Sequence, residues 1–176
     1  MYSGREAKGA EPEFNAPAFE KGRQVALWLK DVLDDMRLTS FVKTTGKTGL
    51  HVIVPIRREL NYSAVRDIAR TIGEHLLREH PNEITTDWAT EKRRGKVFMD
   101  YNMNVRGKST IVPYCPRGLS GAAVAMPLTW KELETIDPTD FRIPTVTDRL
   151  DPWAKVLDQK QDIEKILFRS MRALTS

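Results

Sequence analysis

The stretch Thr44-Thr45-Gly46-Lys47-Thr48-Gly49 packs hydroxyls, glycines and a lysine into six consecutive positions. Small residues leave backbone N–H groups accessible, and Thr45, Lys47 and Thr48 add side-chain donors, which is the composition of an anion cradle. Gly46-Lys47-Thr48 imitates the end of a Walker A loop, but the first glycine of G-x-x-x-x-G-K-[ST] would fall on Phe41. The loop also leads into a strand, so no helix N-terminus follows to receive phosphates. An anion cradle of another kind and a plain tight turn both remain open.

Two further residues carry chemistry on strand patterns. In Leu50-His51-Val52-Ile53-Val54-Pro55-Ile56, alternation sets Leu50, Val52, Val54 and Ile56 on one face and His51 with Ile53 on the other. His51 is either a cleft imidazole or a surface histidine. In the run from Lys96 to Met103 the same alternation places Phe98, Asp100 and Asn102 together. A carboxylate in mid-strand needs a cation or a metal, and Arg93, Arg94, Arg106, Lys108 and Arg117 stand close by in the chain. That arrangement suits either a metal-and-polyphosphate site or a surface salt bridge. His75 and His80 are five residues apart and miss the i, i+4 spacing of a metal-binding helix. Cys115 has no partner pattern of a nucleophile, and Trp28, Trp88, Trp130 and Trp153 read as packing residues.

The elements that must position these groups follow from periodicity. Asn15, Pro17 and the apolar series Phe19, Ala26, Leu29, Val32, Leu33 and Met36 predict a helix over 16–36. A strand over 40–43 precedes the glycine-rich loop and a buried strand over 50–56 follows it. Val65, Ile68, Ile72, Leu76 and Leu77 predict a second helix over 63–80, stopped by Pro81. Strands are expected at 84–89, 96–103 and 109–114, the last two joined by a turn through Arg106-Gly107. Thr129 and Glu132 form a capping-box signature, and helices are expected over 145–150 and 151–174. The order gives an α+β fold with a mixed or antiparallel sheet flanked by helices. Residues 1–13 are expected to be loop or disordered.

With 176 residues, 40% hydrophobic and 30% charged, the chain predicts a single globular domain over 1–176. Cys115 alone excludes a disulfide framework and a multi-cysteine zinc site. No apolar run reaches the roughly 18–20 residues of a membrane span, and no signal peptide is visible. The net charge of +4 is compatible with a nucleic-acid partner without demanding one.

Taken together, KTTGKTGLHVIVPI, RRGKVFMDYNMN, TIVPYCPRG and the segment from AVAMPLTWKELE to DPW resemble the polymerase domain of bacterial and archaeal DNA ligase D. That domain belongs to the archaeo-eukaryotic primase superfamily. The resemblance runs from about Phe19 to Ile166 with the motifs in the family's order. It implies a primase-like fold and a nucleotidyl transferase that adds NTP or dNTP to a DNA 3′ end in non-homologous end joining. It also implies DNA ends, Ku and a ligase module as partners, Mn2+ or Mg2+ as cofactor, and a cytoplasmic, nucleoid-associated setting without a membrane.

Residue by residue, the resemblance places Thr45, Lys47, Thr48, His51, Arg93 and Arg117 at the nucleotide. It makes Asp100 and His51 the catalytic positions and Asp100 the metal ligand. Cys115 stands where the family usually has Ser. The family's Asp-x-Asp metal motif, in a strand that would precede Met1, has no counterpart here, and the family's N-terminal strands are expected to be missing. Glu11-Pro12-Glu13 copies the spacing on the wrong side of the motif. The expectation is therefore the C-terminal part of a primase-polymerase domain, inactive or impaired alone. An upstream polypeptide or a second copy would complete it. The rival reading is a non-catalytic nucleotide-binding, DNA-binding or assembly module.

Overall fold

The computed structural model describes residues 15–118, 122–146 and 149–167. The expectations for 1–13 and for the helix beyond 167 lie outside these residues. Helix α1 (Ala16–Asp35) begins where Asn15 Oδ1 accepts the Ala18 N–H and Pro17 occupies the first turn. Helix α2 (Tyr62–Glu79) is opened in the same way by Asn61 on the Ala64 N–H. Both match their sequence expectations within a residue.

Strands β1 (Phe41–Thr44) and β2 (Leu50–Ile53) form an antiparallel hairpin, and β5 (Pro127–Leu128) adds to the other side of β1. The register pairs Thr44 with Leu50, Lys43 with His51 and Val42 with Val52. Val42, Leu50 and Leu128 therefore share the face that packs on Phe19 and Ala26 of α1, in a core with Val124, Met126, Leu133 and Phe141. Phe41, Lys43, His51 and Ile53 share the opposite face. The alternation expected for β2 holds, although its ladder ends at Ile53, short of Pro55.

A second, two-stranded parallel pair joins β3 (Ile84–Thr85) to β4 (Val97–Phe98). Ile84 and Val97 bury against Val25 of α1 and Leu76 of α2. Helix α1 thus lies between the two sheets and fixes their separation. Short α3 (Trp130–Leu133) carries the expected reciprocal capping box between Thr129 and Glu132. Among the described residues no helix is long and apolar enough to cross a membrane.

Five expected elements differ. The strand over 84–89 is only Ile84–Thr85, because the Thr85 hydroxyl turns back to accept the Asp87 N–H. The strand over 96–103 stops at Phe98, and Tyr101–Met103 form a 3-10 turn. Residues 109–112 join no ladder; their β-branched side chains find no neighbouring strand. Ile143–Thr145 form a 3-10 turn at the start of the helix expected over 145–150, of which 147 and 148 lie outside the described residues and 149–150 are not helical. Across 151–162 there is no α-helix: Asp151 Oδ1 accepts the Trp153 N–H, a local bond that competes with helix hydrogen bonding. Helical structure resumes at Ile163.

Candidate functional site

The loop Thr45–Gly49 closes the β1–β2 hairpin through a bond from the Thr45 N–H to the Gly49 carbonyl. Thr45 Oγ1 accepts the N–H groups of Lys47 (3.3 Å) and Gly49 (3.2 Å). Two of the loop amides expected to be free are thus engaged in holding the loop's shape. The Gly46 and Thr48 amides have no hydrogen-bond partner among the described residues. Lys47 and Thr48 are half-buried at the loop's rim.

The loop is buttressed from the far side of the sequence. Thr44 Oγ1 donates to the Val124 carbonyl and accepts the Met126 N–H, while the Thr44 N–H donates to the Met126 carbonyl. Residues 123–125 in turn pair with 114–117, through Tyr114 N–H to Ala125 O, Ala125 N–H to Cys115 O and Arg117 N–H to Ala123 O. This pairing carries Arg117 onto the loop. Gly46 has φ of +68°, and a Cβ there would lie 2.7 Å from Arg117 Cγ and 2.9 Å from the Ala125 nitrogen. Only glycine fits both the turn and the approach.

His51 enters from β2 on the side facing away from the α1 core. Its Nδ1 is buried with no hydrogen-bond partner among the described residues. Burial, then the charges of Lys43 and Arg117, push its pKa down to about 4. The imidazole is therefore neutral at pH 7, with one donor and one acceptor nitrogen.

Lys43, directly across the ladder from His51, escaped sequence reasoning. A lysine in a strand usually marks a solvated face, and the signal that it faces His51 was present only in the alternation. Its side chain is 1% exposed. Nζ donates to the Thr44 carbonyl at 3.2 Å. Burial first, and the Arg117 charge second, push its pKa down to about 8, against a small opposing influence from Cys115.

Arg93 and Asp100 sit on the β3–β4 side. Arg93 Nε donates to the Asp87 carbonyl, Nη2 donates to the Trp88 carbonyl, and the guanidinium lies 3.6 Å from the Phe98 ring centroid. Much of its hydrogen-bonding capacity thus holds the 87–93 segment together. Trp88, expected as packing, is 61% exposed. Asp100 is not a mid-strand residue: it caps the 3-10 turn, with Oδ1 accepting the Asn102 N–H at 2.9 Å. No Lys or Arg makes an ion pair with it among the described residues, so the salt-bridge alternative for Asp100 is not seen there.

His51 lies on β2 of the three-stranded sheet, whereas Asp100 follows β4 of the two-stranded one. Among the described residues no group of three His, Cys, Asp or Glu side chains converges as a metal site. Asp100 would offer Mn2+ or Mg2+ one carboxylate, whose Oδ1 already accepts a backbone N–H, and the rest of the shell would have to come from water, substrate phosphates or further carboxylates.

The family model for the LigD primase-polymerase domain matches residues 11–157. The chain belongs to the LigD primase-polymerase domain family. It is 32% identical over 147 residues to the multifunctional non-homologous end joining protein LigD of Pseudomonas aeruginosa. It is 34% identical over 129 residues to the bifunctional protein of the same name from Bacillus subtilis. Those matches cover 80% and 72% of this chain but only 18% and 21% of the relatives, so the chain spans about a fifth of their length. The polymerase domain of Mycobacterium tuberculosis ligase D, solved in complex with DNA, superposes with a TM-score of 0.64 at 28% identity. That match covers 92% of this chain and 49% of the other. The α+β fold with its antiparallel sheet is thus the LigD polymerase-domain fold, as the motifs implied.

Proposed function

We propose that this LigD-family chain binds the polyphosphate of a nucleoside triphosphate at the Thr45–Gly49 loop, with Arg117 and His51 completing the site. One observation carries the reading: the Arg117 side chain packs against the Gly46 loop, and its charge acts on the buried His51 of the adjoining strand. Each offers a donor suited to phosphate oxygens. A guanidinium binds phosphate through two parallel N–H bonds, unpaired loop amides add dipoles, and a neutral imidazole contributes one hydrogen bond. Lys47 and Thr48 at the rim extend the same surface.

The role proposed for that site is nucleotidyl transfer to a DNA 3′ end during end joining, in a cytoplasmic, nucleoid-associated setting. DNA ends, Ku and a ligase module are the partners, and Mn2+ or Mg2+ is the family cofactor. The end-joining names of the relatives and the DNA-bound neighbour support this reading. A second reading is favoured by the Asp100 side chain, whose Oδ1 is engaged in capping a turn. In it, the 176-residue chain by itself is a nucleotide- or DNA-binding module whose activity depends on an upstream polypeptide or a second copy. Calorimetric titration of ATP and of a gapped DNA duplex into the purified chain tests both. Saturable ATP binding that is lost in Arg117→Ala supports the site, and identical binding by the two chains overturns it. Extension of the duplex by the chain alone decides for the catalytic reading.

A further inference from the structure

We propose that Lys43 is a positioning residue for the bound phosphate: its buried ammonium, directly across the strand pair from His51, polarises that imidazole and supplies an uncompensated positive charge that the incoming anion neutralises. The inference rests on the nucleotide reading above but concerns a residue that reading does not use.

An ammonium removed from water ordinarily has a carboxylate partner or a full set of acceptors. Lys43 has neither among the described residues: it makes one hydrogen bond, to the Thr44 carbonyl, and no ion pair. The ionisable groups that act on it are Arg117 and Cys115 from the 114–117 segment, it acts in turn on His51 across the ladder, and β5 contributes Pro127 as its other ladder neighbour. The strongest of these charges, Arg117, repels it. Two cations that repel each other beside a buried imidazole whose Nδ1 has no partner among the described residues make an environment that an anion would complement. A purely structural residue at position 43 would be apolar, like its strand neighbour Val42. Because Lys43 is 1% exposed, it acts through His51 and through space, without touching bulk ligand.

A bound polyphosphate would favour the charged form of Lys43, so binding near pH 8.5 should take up a proton. Calorimetry of ATP in buffers of different ionisation enthalpy reads this directly on the unaltered chain. Proton uptake near pH 8.5, absent in Lys43→Met, is the expected result, with affinity at pH 7 at least tenfold weaker in Lys43→Met and largely kept in Lys43→Arg. ATP binding without proton uptake overturns the proposal. A Lys43→Met chain that fails to fold also overturns it, because it marks Lys43 as structural. If the unaltered chain binds no ATP, the nucleotide reading fails, and NMR titration of His51 decides for Lys43 separately, with His75 and His80 as internal references. The His51 midpoint should rise in Lys43→Met and stay low in Lys43→Arg. Coincident His51 curves in the unaltered and Lys43→Met chains would remove the coupling.

Discussion

Gly46 and Arg117 are packed so closely that a single added methyl group on Gly46 would come within 2.7 Å of Arg117 Cγ. The contact joins the loop between β1 and β2 to a segment seventy-one positions later in the chain. It makes the loop's shape and the placement of the guanidinium one property. The Ala125 nitrogen, at 2.9 Å from the same methyl, is backbone held in the 114–117 pairing and cannot yield as a flexible side chain would.

Gly46→Ala should therefore do two kinds of damage. The positive φ of +68° costs an L-residue about 1 kcal/mol, and the overlap adds about 1–2 kcal/mol of packing strain. Urea denaturation should show a loss of roughly 2–3 kcal/mol, and ATP affinity should fall more than tenfold as Arg117 is displaced. Unchanged denaturation midpoints would mean that the loop can shift freely.

How much of this was legible in the sequence depends on how locally each element is determined. The helices were readable because Asn15 and Asn61 cap their own first turns and the apolar positions recur at helical spacing. The face assignment of His51 was readable because strand alternation is a property of the backbone itself. Asp100 misled because its carboxylate turns back to the Asn102 N–H and ends the extended run that the flanking apolar residues suggest. The residues from Ser109 to Val112 have strand-forming side chains without a partner strand, and propensity supplies no partner. Lys43 was invisible for a different reason. What buries it is the tertiary approach of the 114–117 and 123–126 segments, and nothing in Phe41-Val42-Lys43-Thr44 announces that cover.

His51 gives the fold an acid-sensitive point. Its pKa is near 6.5 when unfolded and about 4 in the native chain, so below pH 6.5 the unfolded state binds a proton that the folded state refuses. Stability is therefore complete above about pH 6.5 and declines as pH falls towards 4, by up to roughly 3 kcal/mol from this residue. Urea midpoints measured at pH 7.5 and 4.5 should show this decline, and His51→Gln should show a smaller one. Parallel declines in both chains would place the acid sensitivity elsewhere.

Lys43 has the opposite consequence at high pH. With a native pKa of about 8 against 10.5 unfolded, the charged form destabilises the fold below pH 8 and this penalty fades as pH rises to about 10.5. Lys43→Met removes the penalty and loses one hydrogen bond worth about 1 kcal/mol. The net expectation at pH 7 is a gain of roughly 1–2 kcal/mol, seen as a higher melting temperature in a chain that binds nucleotide poorly. A lower melting temperature would show Lys43 to be a stabilising residue.

Arg117 should be separable from ordinary surface arginines. Arg70 on α2 lies among Asp67 and Glu74 in exposed pairs, which contribute little to stability. Arg117→Ala should weaken ATP binding at least tenfold, whereas Arg70→Ala should change it less than twofold. Equal effects would indicate attraction by overall charge, and the affinity of both variants would then collapse together as salt is raised.

The polymerase activity of the 176-residue chain provides the sharpest contrast between holding a nucleotide and using it. Transfer of a nucleotidyl group requires charge stabilisation at the reacting phosphorus, to which a single preorganised group can contribute 2–4 kcal/mol. Here Arg117, His51 and the loop amides are the groups proposed to hold the polyphosphate. Asp100 sits on the other sheet's side as a turn cap, and among the described residues no group of three His, Cys, Asp or Glu side chains gathers there. The purified chain should therefore bind ATP yet extend a primed or gapped duplex at a rate indistinguishable from a blank, in Mg2+ or in Mn2+. Asp100→Ala should leave ATP affinity within twofold, since the carboxylate takes no part in the loop site. Template-dependent extension that survives repurification and disappears in Asp100→Ala would show that this carboxylate is catalytic after all. Extension appearing only on adding a polypeptide that carries an Asp-x-Asp strand would show that carboxylates from outside the 176 residues are needed.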